Sequence, residues 1–89
     1  MKFAARVEVR LRPGIADPEG ATIERALPAL GFDEVREVRA GRSFRFEIEA
    51  ADAATAGRRA EELARRLLAN PVIEDSDVEL QGLEPAGER

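Results

Sequence analysis

The sequence predicts an α+β domain of the ferredoxin-like kind, an antiparallel sheet with two helices on one face in the order βαββαβ. Two stretches, residues 2–12 and 44–50, alternate apolar and charged side chains with period two. Two others, residues 18–30 and 53–69, carry apolar residues at helical spacing. Helices with one apolar stripe and strands with one apolar face bury both by layering on one side of a sheet. The second sheet face is then open to solvent or to another subunit.

In the first strand Phe3, Ala5, Val7, Val9 and Leu11 share one parity, and Ala4, Arg6, Glu8, Arg10 and Arg12 the other. Pro13-Gly14 ends it. Asp17-Pro18-Glu19 starts a helix: Asp17 caps it, Pro18 suits the first turn because its missing N–H costs nothing there, and Glu19 favours the positive end of the dipole. Ile23, Ala26, Leu27 and Leu30 form its apolar stripe. Pro28 removes the bond to the Glu24 carbonyl and predicts a bend in the last turn. Gly31 is placed to close the helix in a left-handed conformation.

Glu34 to Ala40 is expected to be a second strand. Val35 and Val38 lie three apart, which breaks the alternation and points to a bulge or a short strand. Gly41-Arg42 makes a turn, after which Phe44, Phe46, Ile48 and Ala50 alternate with Arg45, Glu47 and Glu49 in a third strand. Asp52 caps a second helix running to about Ala69, with Ala56, Ala60, Leu63, Ala64, Leu67 and Leu68 as its buried face. Arg58–Glu62, Glu61–Arg65 and Glu62–Arg66 are i,i+4 pairs on its outer face, each contributing about 0.2–0.5 kcal/mol. Asn70 is biased to an extended form by Pro71. Val78 and Leu80 offer a short last strand, and Gly82 to Arg89 reads as a flexible tail. The chain thus divides into a single domain over residues 1–81 and a tail over 82–89.

With 89 residues there is room for one core, burying roughly two-thirds of the unfolded surface. Oligomerisation would add appreciably to the stability of so small a core. The chain has no cysteine and no histidine, which removes disulfides, thiol chemistry, the commonest general base and the commonest metal ligand. The N-terminal residues alternate instead of forming a signal-peptide apolar region, and no apolar run approaches the about 20 residues of a membrane span. These features predict a cytoplasmic protein. Net charge is −4; residues 70–89 carry six acids against Arg89 alone. An acidic balance argues against nucleic acid, which requires a basic face.

Phe44 and Phe46 sit in a segment similar to the RNA-stacking strand of an RRM, but they share parity with Ile48 and Ala50 and so belong to the core. The loop Pro13 to Gly20 lacks the internal Arg of a phosphate cradle, and Asp17 and Glu19 would repel phosphate. Glu74, Asp75, Asp77 and Glu79 lack the glycine-containing spacing of an EF-hand and read as a solvated acidic segment. Ser43, Ser76, Thr22 and Thr55 have no histidine to activate them. Val72 and Ile73, directly after the helix end, either plug the core or dock on another chain. Asp17-Pro18 acts as a cap, and its place at a loop–helix junction also suits an interaction surface.

Three segments, taken together, resemble one family. They are Asp17-Pro18-Glu19-Gly20; Leu30-Gly31-Phe32 with Arg39 and Gly41-Arg42 following; and Leu67-Leu68-Ala69-Asn70-Pro71-Val72-Ile73-Glu74. In that order and spacing they resemble the PurS family, the small subunit of multi-subunit phosphoribosylformylglycinamidine synthase of purine biosynthesis, over nearly the whole chain. The chain departs from the family pattern at Glu19 for the usual Gln, Arg42 for the usual Lys, and Ser76 where an aromatic is common, which bears on any contact needing a ring.

The resemblance implies a reaction in which a PurQ-like glutaminase subunit releases ammonia and a PurL-like synthetase uses it. The acceptor is formylglycinamide ribonucleotide, converted to its amidine, with ATP and Mg²⁺ expected in the synthetase. PurS-like chains are implied to hold no catalytic residues, cofactor or metal, to form dimers or tetramers, and to bridge the two larger subunits in support of ammonia transfer. Subunit contacts are then expected at Asp17, Pro18 and Gly20, at Arg39, Gly41 and Arg42, and at Asn70, Pro71, Val72, Ile73 and Glu74. The charged sheet face (Arg6, Glu8, Arg10, Arg45, Glu47 and Glu49) can pair signs across strands and could close a sheet-to-sheet dimer. The alternatives are a ferredoxin-like regulatory domain binding a metabolite as a dimer, and a generic dimerisation domain.

Overall fold

The alternating first segment forms the centre of the sheet. The computed structural model describes residues 1–82. Strand β1 (Lys2–Leu11) lies between β2 (Gly41–Glu49) and β3 (Glu74–Gly82) and pairs antiparallel with both, in the order β2-β1-β3. The register sets Phe46 and Leu80 beside Ala5, and Phe44 and Val78 beside Val7, on one face. That face carries the core: Phe3, Ala5, Val7 and Val9 are buried, as period two requires.

Helix α2 (Ala53–Leu63) covers this face on the route from β2 to β3, and Asp52 caps it by accepting from the Thr55 N–H at 2.8 Å. Ala56, Ala60 and Ala64 are fully buried, so the helix lies close to the strands through its smallest side chains. A single π-helical turn, Ala64–Leu68, follows, closed by the Ala69 N–H on the Ala64 carbonyl at 2.8 Å. The wider turn takes in an extra residue and breaks the helical phase. Leu68 packs on the core, whereas Leu67, expected on the buried face, is 74% exposed. Of the expected ion pairs Glu62–Arg66 forms, at 3.0 Å; Glu62 also holds Arg59, and Arg58 donates to Thr55 instead.

Helix α1 (Pro18–Ala26) begins as its sequence predicts, with the Asp17 carboxylate accepting from the Gly20 N–H at 3.0 Å and Pro18 in the first turn. At Pro28 the α-helix ends instead of bending as expected. The α-helix stops at Ala26, a 3₁₀ turn covers Pro28–Leu30, and Gly31 closes it at φ 92°.

The α+β class and the antiparallel sheet stand, with three corrections. Glu34 to Ala40 is not a strand; it runs back along α1 without a ladder partner. Its N–H groups go to carboxylates: Glu24 accepts from Glu37 and Val38 at 3.2 and 3.1 Å, and Asp17 accepts from Ala40 at 2.8 Å. Glu37, between Val35 and Val38, adopts φ 56°, outside the extended region of a strand. Second, α2 alone lies across the sheet; α1 lies against its own 3₁₀ turn and the returning segment, and Ile23, Leu30, Phe32 and Val35 stay exposed. The Cα radius of gyration is 16.9 Å, against about 12 Å for a compact chain of this length. Third, the last strand is not short. It spans nine residues and takes in Glu74, Asp75, Asp77 and Glu79. Arg6 pairs with Glu79, Arg10 with Asp77 at 2.5 Å and Arg12 with Asp75 at 3.3 Å. The charged face therefore matches signs mainly between β1 and β3, while Arg6 and Arg45 stand opposite each other on β1 and β2. Apart from Gly82, which ends β3, the tail expected over residues 82–89 lies outside the described residues.

Gly20 is where α1 meets the returning segment. A Cβ there would lie 2.5 Å from the Val38 carbonyl oxygen and 2.6 Å from an Asp17 carboxylate oxygen. Gly20→Ala is expected to lower stability in urea by about 1–3 kcal/mol and to speed hydrogen exchange at the Ala40 N–H. Unchanged stability and exchange would show that the helix and the segment are not held together as described.

Candidate subunit-contact site

The segments that stand apart in the sequence meet at one end of the sheet, where β1 leaves and β2 and β3 begin. Asp17 caps α1 with one carboxylate oxygen and accepts from the Ala40 N–H with the other, so one side chain ties the helix start to the residue before β2. Arg39 lies 3.9 Å from the same carboxylate and reaches the Ile15 carbonyl. The Asp17 side chain is only 5% exposed. Two strand positions on, Arg42 stacks over the Phe44 ring at 5.6 Å and donates to both carboxylate oxygens of Glu74, at 3.0 and 3.1 Å.

Glu74 joins that strand end to the turn after α2. Its carboxylate accepts from the Asn70 N–H at 2.7 Å, while its own N–H donates to the Asn70 carbonyl at 2.8 Å. The Asn70 side-chain oxygen accepts from the Val72 N–H at 3.1 Å, an Asx turn that Pro71 fits because it needs no donor. Arg12 donates to the Pro71 carbonyl, and its N–H reaches the Ile73 carbonyl at 2.9 Å. Asp17, Ala40, Arg42, Glu74, Asn70 and Arg12 thus tie three chain crossings into one corner.

Most of the residues singled out have local structural work in this corner. Asp17, Pro18 and Gly20 shape the start of α1; Arg39, Gly41 and Arg42 lead into β2; Asn70, Pro71 and Glu74 shape the turn into β3. Of Val72 and Ile73, Ile73 is half-buried and Val72 points outward at 77% exposure. Sequence reasoning missed two members. Arg12 reads as an exposed strand end, yet it ties the turn. Glu24 reads as a solvent-side helix residue, yet it holds two N–H groups of the returning segment. An acid one helical turn from Pro28, facing a segment of broken alternation, was the available signal. Leu67, turned outward by the π-helical turn, joins Val72 as an exposed apolar side chain flanking the turn.

The Asp17 carboxyl is held below the usual carboxylate range by the Gly20 N–H and then that of Ala40, with the Arg39 charge adding. Glu74 is lowered by the Asn70 N–H and then by Arg42. Among the described residues no group of three or more acids converges as a metal site, and no helix is long and apolar enough to cross a membrane.

This is a small α+β domain whose ordered polar groups at this corner join chain segments, with Leu67 and Val72 exposed beside them. The chain matches the PurS family model, described as phosphoribosylformylglycinamidine (FGAM) synthase, over residues 4–82. It belongs to the PurS family. It is 40% identical to the phosphoribosylformylglycinamidine synthase subunit PurS of Methanothermobacter thermautotrophicus, over 94% of this chain and 99% of that one. The crystal structure of Methanocaldococcus jannaschii PurS, a subunit of formylglycinamide ribonucleotide amidotransferase in purine biosynthesis, is similar at TM-score 0.82 and 36% identity, covering 92% of this chain and 99% of that one. A chain in the structure of PurLQS from Thermotoga maritima is similar at TM-score 0.83 and 32% identity, covering 91% and 99%.

A carboxylate lowered in the folded state stabilises the protein fully above its unfolded value, and that contribution is lost as pH falls through the folded value. Stability in urea should therefore be level from about pH 7 to 5 and drop below about pH 4. Asp17→Asn and Glu74→Gln should each lower stability at neutral pH and flatten part of the acid limb, Asp52 and Glu62, lowered in the same direction, retaining the rest. Acid limbs identical to that of the parent would contradict this assignment.

Proposed function

We propose that this chain is the small, non-catalytic subunit of phosphoribosylformylglycinamidine synthase. It joins a glutaminase subunit that releases ammonia to an ATP- and Mg²⁺-dependent synthetase subunit that uses it to convert formylglycinamide ribonucleotide to its amidine. The observation carrying this reading is the family match over residues 4–82, which takes in all of the described fold but the first residues of β1. The similarity to a chain of the Thermotoga maritima PurLQS structure supports association with PurL-like and PurQ-like partners; the chain also associates with further copies of itself. The chain contributes geometry to the reaction and works in the cytoplasm, with residues 1–81 as its single domain.

The partner contact is the corner formed by the Asp17–Gly20 junction, the Arg39–Arg42 segment and the Asn70–Glu74 turn. Its ion pairs and backbone bonds stiffen the turn, and Val72 and Leu67 present apolar surface beside it. An exposed apolar side chain on a rigid turn can be buried by a partner at little ordering cost.

Val72→Asp tests this contact without disturbing the core, since substitutions at exposed positions typically change stability by less than about 0.5 kcal/mol. The variant should melt like the parent but bind the glutaminase–synthetase pair at least about tenfold more weakly, the loss of one contact worth more than 1 kcal/mol. Parent-like binding by the variant would remove the corner from the interface. Glutamine-dependent amidation by the reconstituted pair at the same rate with and without this chain would overturn the function itself.

A further inference from the structure

The outer face of the sheet carries an open hollow of about 600 Å³. It lies at the end remote from the subunit-contact corner and from the limb that α1 forms with its 3₁₀ turn and the returning segment. The register explains why it is there. On β1 the outward row runs Lys2, Ala4, Arg6, Glu8 and Arg10, so Ala4 is the one short side chain among long ones. Glu47 and Gln81 stand on either side of Ala4, and Arg45 and Glu79 on either side of Arg6. Long side chains therefore rise around a single methyl group. The residues between them turn their side chains to the core and give backbone to the floor. The volume falls in the range of small-molecule sites.

The charges around the rim are not all matched. Arg6 pairs with Glu79, and Lys2 lies 3.8 Å from Glu47. Arg45 stands directly opposite Arg6, a like-charge placement that is unfavourable on a sheet. It has no acidic partner among the described residues. Three cations, Lys2, Arg6 and Arg45, thus face two acids, Glu47 and Glu79, an excess of one positive charge on the Arg45 side. The other arginines of this face, Arg10 and Arg12, already hold Asp77 and Asp75. Diagonally across the floor, Gln81 offers an exposed amide, both donor and acceptor. It rises two strands away from Arg45, roughly 10 Å at the usual strand spacing.

We infer that this hollow binds a small molecule with one carboxylate at one end and a neutral amide or hydroxyl at the other. The planar guanidinium of Arg45 takes the carboxylate through two N–H donors side by side. The short carbon body of the guest lies on the Ala4 methyl and on the methylene stems of the arginines. Gln81 meets the far end. One excess positive charge suits one negative charge, whereas a phosphate or a dicarboxylate would set a second against Glu47 and Glu79. The site goes beyond the proposed function and shares no residue with the corner built on Asp17, Arg42 and Glu74.

The test titrates the full chain with succinamate, a monocarboxylate ending in an amide, and follows it by NMR at constant ionic strength. Saturable shifts are expected at the Ala4 methyl and at the Arg45 and Gln81 side chains, with the Asn70 and Val72 amides of the corner unmoved. Succinamide, which lacks the charge, and succinate, which carries two, should each bind at least about tenfold more weakly. Arg45→Gln should lower the affinity for succinamate by a similar factor. Ala4→Leu should abolish binding by filling the floor while every charge stays in place. If either variant does not fold, the titration of the parent still decides. Shifts that rise without saturating, shifts centred on the corner, or binding that survives either substitution overturn the site. Succinate bound as tightly as succinamate overturns the assignment of a singly charged guest.

Discussion

The constraint on which the rest of the structure depends is where three backbone N–H groups find acceptors. Glu37, Val38 and Ala40 donate to side-chain carboxylates of the α1 limb, two to Glu24 and one to Asp17. Once those donors are taken, the segment has no ladder to offer, and the sheet closes at three strands. The helix that the segment would have carried over the sheet stays with it at the end of the molecule. An N–H hydrogen-bonded to a charged acceptor is bound more strongly than one in a neutral ladder. The arrangement therefore competes well against strand formation.

Beside the limb, the sheet is organised by β1. Its inner residues form the buried row, and its outer arginines meet the acids of β3, with Arg6, Arg10 and Arg12 taking Glu79, Asp77 and Asp75. The acidic imbalance late in the chain is thus largely structural. Pairs this exposed contribute little each. Their effect is on register, because sliding β3 by one residue would turn its acids inward and Val78 and Leu80 outward.

The corner assembled from Asp17, Ala40, Arg42, Glu74 and Asn70 shows how a family pattern without catalytic residues can still be specific. Each residue type serves a bond that no neighbour supplies: a cap that also clips a second segment, an arginine gripping both oxygens of one carboxylate, an Asx turn before a proline. What these bonds leave free is a small apolar pair, Val72 and Leu67, held on a stiff turn.

Local chemistry was legible in the sequence wherever it depended on near neighbours. The alternation of β1 and β2, the caps at Asp17 and Asp52, the left-handed Gly31 and the three segments of the PurS pattern could all be read from it. Tertiary structure decided what rests on distant partners. The acids from Glu74 onward lie in a full strand whose backbone pairs with β1, with the β1 arginines facing them in register. Leu67 turned out because the helix widened by one residue near its end, and the Glu34–Ala40 segment left the sheet because carboxylates of the α1 limb claimed its donors. Periodicity reports which side chains share a face; only the folded chain settles which acceptor each N–H group finds, since that depends on residues brought together from far along the sequence.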